Sequence, residues 1–389
     1  MMNHVLLVSA QPMPNFLPIL DAALKPDSVT LVVSAQMKDR AEWLKNEISK
    51  HQVKILDDID IGDEATDIVA IQSRLIEWCD AHPQLMETSV LNVTGGTKPM
   101  AIAAQEVFRM AGRPVFYVDV ATDKVSWIPG TPDSVPLTKS PTLAQVFGLN
   151  GMTLESGDFR SEVENEKWRH FCDEIAGAPK EWAACLGALN AIASSAVDEY
   201  KKAARNRMDR RKALAFSYGE WEQAIPQWNE MVEILHADEL IHGETAAERF
   251  VSDAAAQFCA GIWLEHYVFS MLKKFKFDRK RALMNAKVID AKKNRNEIDS
   301  IVIHGNTCYL IEDKTKNMVV KNGDRGNIAD NAVYKLSQLT KSMGLRTKGI
   351  LVSARAVRPV DKERARAYGV EIIDRLPDLE PRLKNILGL

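Results

Sequence analysis

Apolar runs of strand length alternate with helical periodicities through the first third of the chain. Residues 4–9 and 29–34 are nearly continuous apolar stretches, and 53–56, 90–93 and 115–119 are shorter ones. Between them, 16–24, 39–50, 65–79 and 99–111 space their apolar positions for helices, as Ile68, Ile71, Leu75 and Trp78 do. Strands alternating with helices predict a mostly parallel, Rossmann-like sheet buried on both faces. Residues 129–142, with Pro129, Pro132, Pro136 and Pro141, read as the exit from this domain. From 161 to 250 the pattern is mainly helical, with a helix at 220–236 and a small hairpin opening at Leu240-Ile241-His242-Gly243. A winged-helix-like unit fits that order. A long helix from Ala254 to Leu272 then leads to a hairpin at 298–314, helices at 331–343 and 361–368, and strands at 348–353 and 370–373. The pattern predicts an α/β chain in three parts: 1–150, 151–250 and 251–389.

The hairpin carries chemistry that its register exposes. Its strands alternate in character on either side of Gly305-Asn306, a two-residue turn signal. Antiparallel pairing through that turn sets Ile303 opposite Cys308, Ile301 opposite Leu310 and Asp299 opposite Glu312, with Lys314 on the same side. Glu297 and Asp313 point to the other face. Carboxylates that face each other repel, and a hard divalent cation such as Mn²⁺ or Mg²⁺ removes the conflict. Asp299 and Glu312 are therefore candidate metal ligands. A lysine at Lys314 could act on a water or on phosphate charge.

Net charge divides the chain unevenly. Residues 1–150 carry 12 Lys/Arg against 18 Asp/Glu, and 151–250 carry 12 against 19. Residues 251–389 carry 26 against 16, a net of +10. The densest basic stretch, 273–295, includes Lys292, Lys293 and Arg295 and runs straight into the hairpin, so nucleic-acid phosphate is the expected partner. No apolar run reaches the ~18 residues of a membrane span. The N-terminus has neither a basic region nor a cleavage site, and the five cysteines are scattered with no C-x-x-C. Reduced thiols in a cytoplasmic protein without structural zinc are expected.

A second site lies in the first domain. Asn92-Val93-Thr94-Gly95-Gly96-Thr97-Lys98 follows a strand and opens a helix. The glycine pair permits close backbone approach, and free N–H groups, threonine hydroxyls and Lys98 together suit an anion. The spacing is neither G-x-G-x-x-G nor G-x-x-x-x-G-K-[ST], which excludes dehydrogenase and Walker-type readings. Ser9 and Gln11 after the first strand, and Ser34 and Gln36 after the second, belong at the same carboxyl edge of the sheet. No acid–base pair is evident there, so binding rather than turnover is expected.

The Asn-x-Thr-Gly-Gly-Thr-Lys-x-Met element resembles the CARF domain, a Rossmann-like sensor of cyclic oligoadenylates. The Asp299…Glu312-x-Lys314 hairpin resembles the PD-(D/E)xK nucleases. Their order, around a helical middle, resembles the ancillary nucleases of type III CRISPR systems. The resemblance implies that cyclic tetra-adenylate binds across a homodimer through Thr94, Gly95, Gly96, Thr97, Lys98, Ser9 and Gln11. It implies a metal-dependent endonuclease of antiviral defence that cuts or nicks DNA or single-stranded RNA with little sequence preference. Glu265, on the preceding helix, takes the place of an added catalytic glutamate. Lys335 and Gln338, with Tyr334, take the place of downstream substrate contacts. Two positions depart from the nuclease pattern: Ile298 stands where a proline is common, and Asp313 occupies the middle of the acid-x-Lys triplet. The alternative is a ligand-responsive CARF and winged-helix regulator that binds DNA without cutting it.

Overall fold

The computed structural model describes residues 2–128, 134–166, 168–244, 247–315 and 328–389. Pro129 and Pro132 of the expected exit lie outside them.

Six strands, five of them the expected apolar segments, build the parallel part of the first sheet. In chain order its strands are β1 (Asn3–Leu7), β2 (Ser28–Val33), β3 (Lys54–Ile55), β4 (Ile59–Asp60), β5 (Ser89–Asn92), β6 (Val115–Asp119), β7 (Lys124–Ile128) and β8 (Val135–Pro136). They lie in the order β3-β2-β1-β5-β6-β7-β8, with β4 also pairing β2; β7 and β8 are antiparallel additions. Helices α1 (Met13–Leu20) and α2 (Lys38–Ile48) pack on one face. On the other lie α3 (Ile68–Ala81), α4 (Pro83–Met86) and α5 (Lys98–Met110). Strand order reverses between β1 and β5, so the loops that follow them open a crevice at the carboxyl edge. Strands β7 and β8 had no expected counterpart, because half-exposed antiparallel edge strands lack a continuous apolar run.

After α6 (Leu143–Leu149), β9 (Thr153–Asp158) leaves this sheet and joins another one. The middle of the chain holds α7 (Arg169–Gly177), the 24-residue α8 (Ala183–Asn206), β10 (Ala215–Ser217), α9 (Glu220–Gln223), α10 (Trp228–Ala237), β11 (Ile241–Glu244) and β12 (Ala247–Phe250). The hairpin foreseen at 240–243 is β11–β12, and β10 completes a three-stranded sheet. The single helix expected at 220–236 is two helices. Pro226 cannot donate a helical hydrogen bond, and Gln227 turns left-handed at φ 61°.

The long helix expected from Ala254 is likewise interrupted. It comprises α11 (Asp253–Gln257), a π-turn at Phe258–Ile262 and α12 (Trp263–Lys274). Gly261 causes the break with φ 137°, and a Cβ there would stand 2.7 Å from Thr315 Oγ1. The last sheet contains β13 (Ala282–Ile289), β14 (Arg295–His304), β15 (Thr307–Lys314), β16 (Thr347–Ser353) and β17 (Val370–Ile373). Its order is β17-β16-β15-β14-β13-β9, with the two pairs nearest β17 parallel. Helices α13 (Ile328–Ser342) and α14 (Pro359–Ala367) cover the face of Ile301, Cys308 and Leu310. Helices α12 and α15 (Leu379–Leu387) cover the face of Val302, Tyr309 and Ile311. No described helix is long and apolar enough to cross a membrane.

Candidate active site and anion loop

The hairpin register is the one its turn demands. Ile303 pairs with Cys308, Ile301 with Leu310 and Ser300 with Ile311, and Gly305 takes φ 56°. The ladder stops at Ser300, and Asp299 replaces the next rung with its side chain. Its carboxylate accepts the Asp313 N–H at 2.8 Å. Glu312 and Lys314 stay on the α13 side, where Lys314 Nζ lies 2.6 Å from Glu312 Oε1 and Lys335 Nζ lies 3.9 Å from Glu312 Oε2.

Asp313 points to the opposite face, as alternation requires, yet it belongs to the cluster. That face is roofed by α12, which brings Glu265 within electrostatic reach. The register alone does not show this proximity, because the roof comes from a helix distant in sequence. Glu297, also assigned away from the site, lines the same cleft. This cleft of about 570 Å³ is bounded by Gln257, Glu265, Asn285, Lys287, Asp299 and Lys335 among others. The π-turn helps shape it, since Gln257 and Ile262 flank the break and line the cavity.

Burial dominates the electrostatics, with repulsion between carboxylates second. Burial, and then Asp299, push the Glu265 carboxyl up to about 8. Burial, and then Glu312, push Asp299 up to about 6. Asp313, only 7% exposed, is driven well above the carboxylate range, mainly by burial. Neither of its carboxyl oxygens finds a hydrogen-bond partner. Burial disfavours the Lys314 ammonium, but the acids around it, Glu312 and then Asp299 and Asp313, together outweigh burial and raise it. Hard oxygen donors with too little positive charge fit a divalent cation. Among the described residues, no three such side chains are already gathered into coordinating positions.

The expected nucleic-acid residues divide. Lys335 lines the cleft, and Gln338 is exposed further along α13. Lys292, Lys293 and Arg295 are exposed at the β13–β14 turn, outside the cleft lining, with Arg295 3.8 Å from Glu155. Lys287 from the same basic run does line it. β13 was the missing element. Its apolar residues sit among Lys and Arg, which hid the strand in a charge run.

At the first sheet's carboxyl edge the loop is built from within. Asn92 is fully buried and donates to Pro14 O (2.9 Å) and Asn15 Oδ1 (3.1 Å), while it accepts from Thr94 N and Oγ1. It shapes the loop and presents nothing to a ligand, contrary to expectation. Thr94 Oγ1 in turn accepts the Val118 N–H at 2.7 Å. Gly95 packs so tightly on Leu7 O that a side chain is excluded, and Gly96 has φ 72°. Thr97 caps α5 by accepting the Met100 N–H and donates to Ala65 O. Lys98 and Gln36 are exposed, whereas Ser34 is buried at the end of β2.

Ser9 and Gln11 bond to each other locally, and the Gln11 carboxamide oxygen reaches out of the domain to accept the Leu345 N–H at 2.9 Å. One turn along the same edge, Asp123 takes the Arg346 guanidinium at 3.1 and 3.4 Å. The turn before β16 therefore rests on the loops that surround the anion site.

The Card1 CARF domain family matches residues 3–136, and the Card1-like endonuclease domain family matches residues 252–388. The chain therefore joins a Card1-type CARF domain to a Card1-like endonuclease domain. Protein VC1899 from Vibrio cholerae superposes with a TM-score of 0.80 at 22% identity, covering 100% of this chain and 98% of its own. Can2 from Sulfobacillus thermosulfidooxidans, solved in complex with cyclic tetra-adenylate, gives 0.77 at 23% identity, covering 100% and 97%. A type III CRISPR defence DNA nuclease activated by cyclic oligoadenylate gives 0.53 at 16% identity, covering 98% of this chain and 51% of its own. No curated protein matches in sequence. The Rossmann-like first domain and C-terminal nuclease domain expected from the sequence are both present.

Proposed function

We propose that this CARF–endonuclease is switched on by a cyclic oligoadenylate, of which cyclic tetra-adenylate is the first choice, and then hydrolyses phosphodiester bonds within polynucleotides. The observation that carries the reading is the pairing, in one chain, of a preformed anion loop with a buried carboxylate cluster short of positive charge. The messenger is supported by the fold shared with Can2, solved in complex with cyclic tetra-adenylate, and with a CRISPR defence DNA nuclease activated by cyclic oligoadenylate.

At the cleft, Asp299 and Glu312 would hold Mn²⁺ or Mg²⁺, with Glu265 in the place the PD-(D/E)xK resemblance gives it and Asp313 beside it as this chain's departure from that pattern. Such an ion, when bound, relieves the carboxylate repulsion and polarises a phosphate and its attacking water. Lys314, held charged by Glu312, acts as a hydrogen-bond donor that positions that water and offsets charge growing on the phosphate. Lys335 and Lys287 attract the substrate backbone into the cleft. Water oxygen bonds to phosphorus, the bond to the leaving oxygen breaks, and that oxygen is protonated.

A homodimer gives the messenger its second half-site. Ile68, Val69 and Ile76 on α3, and Ile102 and Met110 on α5, are exposed on neighbouring helices, Val69 to 71% and Met110 to 74%. Such a patch suits a second copy, and α5 begins at Lys98, so pairing there draws two anion loops together. Gating follows two rigid elements. β15 runs from the turn beside Asp123 to Glu312, and α13 runs from Lys335 to the turn held by Gln11. A cytoplasmic location suits a polynucleotide substrate. Incubation with Mn²⁺ and either supercoiled plasmid or single-stranded RNA, with and without cyclic tetra-adenylate, tests the reading. Cleavage only with messenger and metal is expected; none with either substrate sinks it.

A further inference from the structure

The middle of the chain is acidic except in one place. Of the 12 Lys/Arg in residues 151–250, seven fall between Lys201 and Lys212, with Asp209 as the sole acid among them. They occupy the end of α8 and the turn that leads into β10, and all seven side chains are exposed. Among the described residues only Lys202 is in an ion pair, with Glu199 at 2.6 Å. Some positive charge suits a helix C-terminus, but the dipole acts only over the last turn. Four of these seven residues, Arg207, Arg210, Arg211 and Lys212, lie beyond the helix. Beside them, the sheet of β10, β11 and β12 holds an open groove of about 670 Å³, lined by Ser217, His242 and Arg249 among others.

The opposite end of α8 is tied to the catalytic strand. Arg355 donates to Ala183 O at 3.0 Å and to Thr315 O at 3.2 Å, one residue beyond Lys314. The 24 residues of α8 make a rod of about 36 Å. That length sets the basic cluster at most roughly ten base-pair steps of a polynucleotide from the Ala183 end, where Arg355 joins the helix to Thr315.

We infer that residues 201–212 form a second contact for the backbone of the polynucleotide substrate, beyond the cleft and engaged only by strands long enough to reach it. The inference rests on the nuclease reading above. The recognised chemistry is the repeating phosphate, without base readout, because the neighbouring α9 and α10 present Glu220, Glu222, Glu230 and Glu233, which repel nucleic acid.

The test is a combined Arg210→Gln, Arg211→Gln and Lys212→Gln variant of the full chain. Binding to a 40-mer and an 8-mer, each as duplex DNA and as single-stranded RNA, is measured in EDTA across a salt series, and cleavage is measured with Mn²⁺ and messenger. For the substrate type that the wild type cuts, 40-mer affinity should fall about tenfold and the log–log salt slope by about two to three. Binding and cleavage of the 8-mer, and messenger affinity, should be unchanged. The corresponding lysine replacements at 210 and 211 should restore the slope. An unchanged slope with wild-type cleavage, or equal losses on both lengths, overturns the second contact and leaves the nuclease reading intact. A wild type that neither binds nor cuts any of the four overturns both.

Discussion

The two sites of this chain are built on opposite electrostatic plans. In the anion loop, Asn92, Thr94 and Thr97 are hydrogen-bonded to their own domain, and the glycines are locked by close packing. Little need move for a phosphate to bind, and the cost of ordering has been met during folding. At the cleft, Glu265 and Asp299 are half-buried beside the buried Asp313, whose carboxylate has no hydrogen-bond partner. That site is unfavourable until something positive enters it. A sensor gains from being preformed, whereas a nuclease held idle gains from being incomplete.

Glu312→Ala or Lys314→Ala is the severest test of that contrast. Either should lower cleavage by about a thousandfold or more, since each removes a group that the proposed mechanism sets on the reacting phosphate. Messenger affinity, measured by calorimetry, should not move. Normal cleavage by both variants would break the assignment of the cleft.

The converse change is Lys98→Ala. Loss of one charge-assisted contact to phosphate should weaken cyclic tetra-adenylate about tenfold to a hundredfold. Cleavage at saturating messenger should be retained. Equal affinity in variant and wild type would show that the exposed ammonium at the start of α5 takes no part in binding.

How far these sites could be read without coordinates follows the same division. The hairpin register and the loop after β5 are local, set by Gly305-Asn306 and by a strand, a glycine pair and a capping threonine. Asp313 depended on α12 crossing the far face, and Asn92 on Pro14 and Asn15 across the sheet. Such contacts are distant in sequence and leave no periodic mark. β13 and β9 were invisible because their partners supply the burial that their own sequences do not advertise.

Proton linkage tests whether the cleft is frustrated. Glu265 and Asp299 have folded values raised to about 8 and about 6. The folded protein therefore holds more protons than the unfolded chain above about pH 4, and metal-free stability should fall as pH rises towards 8. The melting temperature in EDTA should drop by several degrees between pH 5 and pH 8, and Glu265→Gln should flatten the drop. Mn²⁺ should restore more stability at pH 8 than at pH 5, because binding at low pH must displace protons. A melting curve indifferent to Mn²⁺ at pH 8 would refute the picture of an unneutralised cluster.

The subtlest effect concerns the join between the two plans. Gln11 stands at the carboxyl edge of the first sheet, yet its carboxamide is engaged by Leu345, ten residues after Lys335 on the helix that passes the cleft. Gly344 leaves just enough room for it: a Cβ there would stand 2.7 Å from the Gln11 oxygen. Messenger binding that drew Gln11 into the crevice would free this turn, and α13 with it. Gln11→Ala removes the hold without touching the catalytic groups. Cleavage without messenger should rise a few-fold, and the ratio of activated to basal rate should shrink by the same factor, within the usual size of a coupling between sites. Gly344→Ala, which crowds the same contact and strains a left-handed glycine at φ 92°, should act in the same direction. An unchanged ratio in both variants would move the coupling to Asp123 and Arg346, and Asp123→Ala would then carry the loss.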